Sequence, residues 1–337
     1  MTSTVRYSTA GTGAARTAYR WLLLSTCLAT YALVVVGGIV RTTDSGDACP
    51  DWPSCHGDIV PPLSGHVLVE FSHRLLASLV SILVLAIALG AWRWQRRSPI
   101  VFWGAMAAVG LIVAQVVLGG ITVLSDLKSS MVMAHLATAS VLLATLLVVT
   151  IVSLDVRLAD GARDVSSFRN LAVVAALATL ALMLTGSFVS ETGAGLAFSD
   201  WPVFDGRLMP EGGRLAMIHA THRFAALLVG FVLAYAMVQA WRRHRANRPL
   251  LIGTTLAFGL YIAQAFVGAA NIWTLLQPAA STAHLALAMA IWATLVAVAM
   301  LAHLEAQAGE GASVAVVAPG GATPSVAAAT LSARGPL

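Results

Sequence analysis

The chain has 337 residues, 58% of them hydrophobic and only 10% charged, with a formal net charge of +5 and a mean hydropathy of +0.82. So apolar a composition excludes a soluble globular domain and fits a polytopic membrane protein. The positive balance does not indicate a nucleic-acid partner, because the arginines sit in short loops that flank apolar runs.

Residues 1–18 are small and polar and are expected to be disordered. Crossing a bilayer takes ~20 apolar residues, and eight segments qualify, at about 19–40, 66–92, 99–123, 130–154, 169–190, 215–241, 249–273 and 279–303. Their length excludes barrel strands. The first is too long for a signal-peptide core and is expected to be retained. These segments form an N-terminal four-helix bundle over 19–154 and a C-terminal one over 169–303, joined by a cytoplasmic linker at 155–168. From 304 to 337 the chain is rich in Ala, Gly, Val, Pro and Ser, and a disordered cytoplasmic tail is expected.

Basic residues concentrate on one side of the predicted spans, which carries 14 basic and 5 acidic residues against 6 and 10 on the other. Both termini are therefore expected in the cytoplasm. Cys49 and Cys55 fall in the first external loop, on an oxidising face where a disulfide can persist. Cys27, inside the first span, reads as inert packing.

The two halves repeat. His73-Arg74 and His222-Arg223 lie 149 residues apart, as do His135 and His284. The same offset carries Asp51-Trp52-Pro53 onto Asp200-Trp201-Pro202, Trp92-Arg93 onto Trp241-Arg242, and Gln115 and Gly119 onto Gln264 and Gly268, without a gap. Each unit has an even number of spans, so the expected architecture is all-α, with eight transmembrane helices in tandem bundles about a pseudo-two-fold axis along the membrane normal. The long external loops, which hold the Asp-Trp-Pro triplets, are expected to fold as lids. Phe198 and Phe204 occupy the positions matching Cys49 and Cys55, so only the first half can form that bridge.

His73, His135, His222 and His284 each fall early in a span that starts outside, which places all four near the outer leaflet. A single such histidine is adequately explained as a hydrogen-bonded core residue. Four of them, at one depth and one repeat, point to function. Two imidazoles on different helices of a bundle can approach a shared axis as the axial ligands of a haem iron. Zinc would want three or four ligands, and no further Cys or His lies at matching depth in both copies. His56, His66, His244 and His303 fit solvated positions.

Glu70 sits three residues before His73, on the same helical face, whereas His219 holds the matching position before His222. Glu70 is thus a candidate acid or base, or else a solvated residue stabilised by the helix dipole. The asymmetry suggests that one bundle does chemistry and the other keeps a permanent cofactor. Arg74 and Arg223 suit haem propionates, and snorkelling to headgroups explains them as well.

Together these residues resemble the haem A synthase family of bacterial plasma membranes and mitochondrial inner membranes. The resemblance rests on Gly37-Gly38-Ile39-Val40-Arg41-Thr42 leading to Cys49-Pro50-Asp51-Trp52-Pro53-Ser54-Cys55, on Glu70-Phe71-Ser72-His73-Arg74, on Leu118-Gly119-Gly120 with His135, and on His222-Arg223 with His284. It covers about residues 19–303. It implies oxidation of the C8 methyl group of haem O to a formyl group, giving haem A for terminal oxidases, in a multi-pass plasma-membrane enzyme with its haem sites toward the outer face. It also implies haem b held at His222 and His284, haem O received near His73 and His135, assistance from Glu70, and a functional Cys49–Cys55 pair. Haem O synthase, terminal oxidase assembly proteins and a second copy of the chain are the partners it suggests, besides the bilayer. A dihaem b-type membrane cytochrome for electron transfer or quinol oxidation is the alternative, and it leaves Glu70 without a task.

Overall fold

The computed structural model describes residues 13–154 and 165–317, with side chains through 308. The described residues form eight long helices: α1 Gly13–Thr42, α2 Gly65–Trp94, α3 Pro99–Leu124, α4 Ser129–Ser153, α5 Ser166–Glu191, α6 Arg214–Arg243, α7 Arg248–Trp273 and α8 Pro278–Val317. All eight are long and apolar enough to cross a membrane. Most begin and end within three residues of the predicted spans.

The two outermost helices exceed their expected ends. α1 starts at Gly13, inside the segment expected to be disordered, and residues 1–12 lie outside the described residues, as do 155–164 of the expected linker. α8 passes 303 and reaches Val317, a correction to the tail expected from 304. The reason is packing: Leu304, Glu305 and Ala306 are buried, and the Glu305 carboxylate accepts a hydrogen bond from the Asn247 side chain at the start of α7. Residues 318–337 lie outside the described residues.

Within each half the helices close a ring of neighbours: α1 packs on α2, α2 on α3, α3 on α4 and α4 on α1, and α5 to α8 do the same. α2 and α4 do not touch, nor do α6 and α8. The histidine-bearing helices therefore stand on opposite corners of each ring. Between the halves, α4 packs on α8 and α5, and α1 on α8.

In lipid no hydrophobic force draws helices together, so close backbone approach must do it. Glycines permit this at repeated places. A Cβ on Gly104 would lie 2.5 Å from Val149, and one on Gly253 would lie 2.5 Å from Val298, the same contact 149 residues on. The seam between the halves is pinned by polar contacts. Arg41 meets Glu191 at 2.5 Å, Thr42 meets Thr282 at 3.0 Å, and Tyr31 and Trp292 donate to the carbonyls of Ala286 and Ser140.

Candidate functional site

Each of the four histidines lies six or eight residues into its helix, at the end that carries the two long loops. Each imidazole rests on a glycine of the preceding helix. A Cβ on Gly37 would lie 3.1 Å from His73 Cε1, one on Gly119 3.4 Å from His135, one on Gly186 3.0 Å from His222 and one on Gly268 3.1 Å from His284. A side chain at Gly37, Gly186 or Gly268 would crowd the ring by a few tenths of an ångström and one at Gly119 would just touch it, so the ring is seated on glycine four times over.

The two ring nitrogens of each imidazole are placed differently. Nδ1 of His135 and of His284 is buried with no hydrogen-bond partner. Nδ1 of His73 is also buried with no hydrogen-bond partner. His222 Nδ1 meets Thr185 Oγ1 at 2.9 Å, while that hydroxyl donates to the Leu182 carbonyl at 2.8 Å. The hydroxyl hydrogen is thus committed, so Nδ1 carries the proton and Nε2 keeps its lone pair. None of the four Nε2 atoms is buried without a partner, and each remains the accessible ring nitrogen.

His73 and His135 are near enough to interact electrostatically, as are His222 and His284. Gln115 and Gln264 donate to the carbonyls of His135 and His284, each at 2.9 Å, steadying the backbone beneath the ring. Two half-buried imidazoles on opposite corners of a helix ring, each with Nε2 accessible, fit axial ligation of a porphyrin iron. Among the described residues no group of three or more His, Cys, Asp or Glu is placed to hold a bare metal ion.

Over each ring lies a short hairpin. Cys55 and Asp58 exchange backbone hydrogen bonds of 3.0 and 3.1 Å, and Phe204 and Arg207 exchange bonds of 2.8 and 3.1 Å. The central residues of both turns, His56-Gly57 and Asp205-Gly206, have positive φ, as tight hairpin turns of the right twist require. The Asp-Trp-Pro aspartates hold these turns from inside. Asp51 accepts from the Ser54 hydroxyl and the His56 and Gly57 amides, and Asp200 from the Asp205 and Gly206 amides. Ser54, then Gly57 and His56, keep the Asp51 carboxyl below the ordinary carboxylate range.

Glu70 is buried beneath the first lid. Its Oε2 accepts from the Cys49 amide at 2.7 Å, and its Oε1 accepts from Arg74 Nη2 at 2.6 Å and Nε at 3.2 Å. Arg74 also donates to the carbonyls of Asp51, Ser54 and Cys49. All five of its N–H donors are used inside the protein, so it ties the lid to α2 and keeps no hydrogen for a propionate. Arg223 repeats the tether, donating to the carbonyls of Asp200 and Val203 and to His219 Nε2. Cys49 and Cys55 form a disulfide and Cys27 is free and buried. In the second lid Phe198 and Phe204 meet edge to face at 4.9 Å, with the Arg223 guanidinium 5.2 Å from each ring.

His56 and His66 bond within the first lid, to the Ala48 carbonyl and the Ser45 hydroxyl. His244 corrects the expectation of a solvated position: it is buried, 4.8 Å from the Phe168 ring, because the α6–α7 turn tucks under the start of α5. The sequence reading missed Thr185 and the purpose of the glycines. The 149-residue offset, which pairs Gly37 with Gly186 and Gly119 with Gly268, was the available signal for the glycines.

Fold and site define a multi-pass helical membrane protein with two diagonal imidazole pairs under two tethered lids. The chain belongs to the cytochrome oxidase assembly protein family COX15-CtaA, whose model matches residues 19–68, 64–296 and 214–318. Similar curated proteins carry the name "Heme A synthase". That of Shouchella clausii is 29% identical over 256 residues, covering 74% of this chain and 85% of its own. That of Exiguobacterium sibiricum is 30% identical over 255 residues, covering 72% and 84%, and that of Lysinibacillus sphaericus 24% over 272 residues, covering 79% and 89%.

Proposed function

We propose that this chain is a haem A synthase, oxidising the C8 methyl group of haem O to the formyl group of haem A in the plasma membrane. The observation that carries the reading is the glycine-seated imidazole, repeated on α2, α4, α6 and α8 with Nε2 accessible each time. In this reading the α1–α4 ring receives haem O between His73 and His135, and the α5–α8 ring is the cofactor half. Haem b, held there by His222 and His284, would supply one-electron redox chemistry. Matching helix neighbours in the two rings support an approximate two-fold axis along the membrane normal.

Glu70 separates the two rings chemically. It lies one turn before His73 and is held by the Cys49 amide and Arg74. Loss of electrons from a methyl group on a porphyrin builds positive charge that the macrocycle spreads. A carboxylate fixed beside it stabilises that charge and orients the water that must reach the methyl carbon. Arg74 and the disulfide-closed lid position the carboxylate and limit access of bulk water. The substrate reaches this chain from a haem O synthase, and the product passes to terminal oxidase assembly.

The test is pigment analysis by mass on protein purified from cells with and without a source of haem O. Haem A should appear only with the source. Protohaem alone in both samples would instead mark a b-type cytochrome.

A further inference from the structure

Both lids end in a pair of large apolar residues held in the open. Ile59 is 89% exposed and Val60 67%; their counterparts 149 residues on, Leu208 and Met209, are 82% and 73% exposed. Neither pair is a loose end. Each follows directly on the hydrogen-bonded hairpin, at Cys55–Asp58 and Phe204–Arg207. Each is followed by a proline that turns back toward the protein, Pro61 buried and Pro210 half-buried. The chain therefore goes to some length to present two apolar side chains outward, in both copies, on different residues.

An exposed apolar tip in water is a liability, so what covers it matters. The apolar surface leading away from the tip answers that. Leu63, Leu68, Leu75, Leu79, Ile82 and Leu89 are all exposed and continue from the first tip down one side of α2. This is the face such a helix turns to acyl chains. At the far end of α2 stand Trp92 and Trp94, both exposed, the residues that mark a membrane boundary. A hydrocarbon core of ~30 Å takes ~20 helical residues, which sets the opposite boundary near Ser72. Gly65 to Phe71 then rise through the headgroup layer, and the tip is joined to α2 by only four residues. α6 has the same length and the same exposed stripe, through Met217, Phe224, Leu228 and Phe231.

We propose that Ile59-Val60 and Leu208-Met209 are membrane anchors, inserted at the headgroup–acyl boundary of the outer leaflet. Each lid is then fixed at two points, by its arginine tether to the helix bundle and by its tip to lipid. This is the geometry of interfacial anchoring, where apolar side chains enter the boundary while the backbone stays among headgroups. It is independent of the haem chemistry, since neither tip belongs to the glycine cradles or to the bonds that hold Glu70.

The experiment uses the wild-type protein in lipid nanodiscs, photolysed with a diazirine carried on phospholipid acyl chains or with a water-soluble diazirine, followed by peptide mass mapping. The tip residues of both lids should take up at least about fivefold more of the lipid-borne carbene than of the water-borne one, as anchoring at the boundary requires. His56, Gly57 and Asp58, on the hairpin turn, should show the opposite preference. Labelling of the tips mainly from water would overturn the proposal. So would protection from both reagents, which would mean that a second copy or another protein covers them. In the variant Ile59→Asp/Val60→Asp, labelling of the first lid should move to the water-borne reagent while the second lid keeps its lipid-borne signal.

Discussion

In the first lid the hairpin is closed by a covalent bond between Cys49 and Cys55; in the second, Phe198 and Phe204 fill the same two places and meet as packed rings. The turns, the aspartate that holds each one and the arginine that ties each to its helix are otherwise alike. What differs is the residue beneath. Glu70 takes a hydrogen bond from the Cys49 amide itself, whereas no such bond joins His219 to Phe198. Covalent closure is found where the lid itself hydrogen-bonds a buried carboxylate. Aromatic packing closes the lid that makes no such bond, and there Arg223 lies against both rings.

The comparison is broken most severely from below the second lid. His222→Ala or His284→Ala should abolish the low-spin haem b absorption of the purified protein outright. The matching His73→Ala and His135→Ala changes should leave that spectrum in place. Next in size, Glu70→Gln should lower conversion of haem O by about a hundredfold or more, the scale of a lost acid–base or charge-stabilising group. His219→Gln should leave the conversion far less affected, and equal losses at both positions would erase the distinction between the halves.

Smaller effects test the closure itself. Removing the Cys49–Cys55 link should destabilise the first lid by about 2 kcal/mol, the loop-entropy scale for so short a ring, seen as faster amide exchange around Glu70 and no change in the second lid. Conversely, Phe198→Cys/Phe204→Cys should form a bridge, detected as loss of the thiol hydrogens by mass. Two unreacted thiols would show that the backbones are not interchangeable. Smallest, Thr185→Val removes the acceptor for His222 Nδ1 and should move the haem b midpoint potential by a few tens of millivolts, equivalent to about 1 kcal/mol.

Much of this was legible beforehand because the controlling forces are one-dimensional. Runs of ~20 apolar residues report a solvent, the bilayer, that tolerates only helices closed on their own hydrogen bonds. A repeat without gaps makes every functional position appear twice, which is how His73 and His222 stand out from His56 or His303. Other features depend on which loop atoms face which side chain. Arg74 looks like an anion clamp in sequence, yet the folded lid turns three carbonyls toward it and takes up its donors. Glycine cradles are invisible in one copy, since a glycine in a membrane helix has many uses. Burial of His244 and the length of α8 are decided by neighbours distant in sequence, Phe168 and Asn247.

The polar pins along the seam do not obey the repeat. At the positions that the offset pairs with Arg41, Tyr31 and Trp292 stand Ser190, Leu180 and Leu143, and Thr42 answers to Glu191. A half meeting a duplicate of itself would find neither a charge partner for its arginine nor a full set of hydrogen-bonding mates. Each half is thus fitted to the other and not to itself, and separately made halves should choose the unlike partner over their own kind.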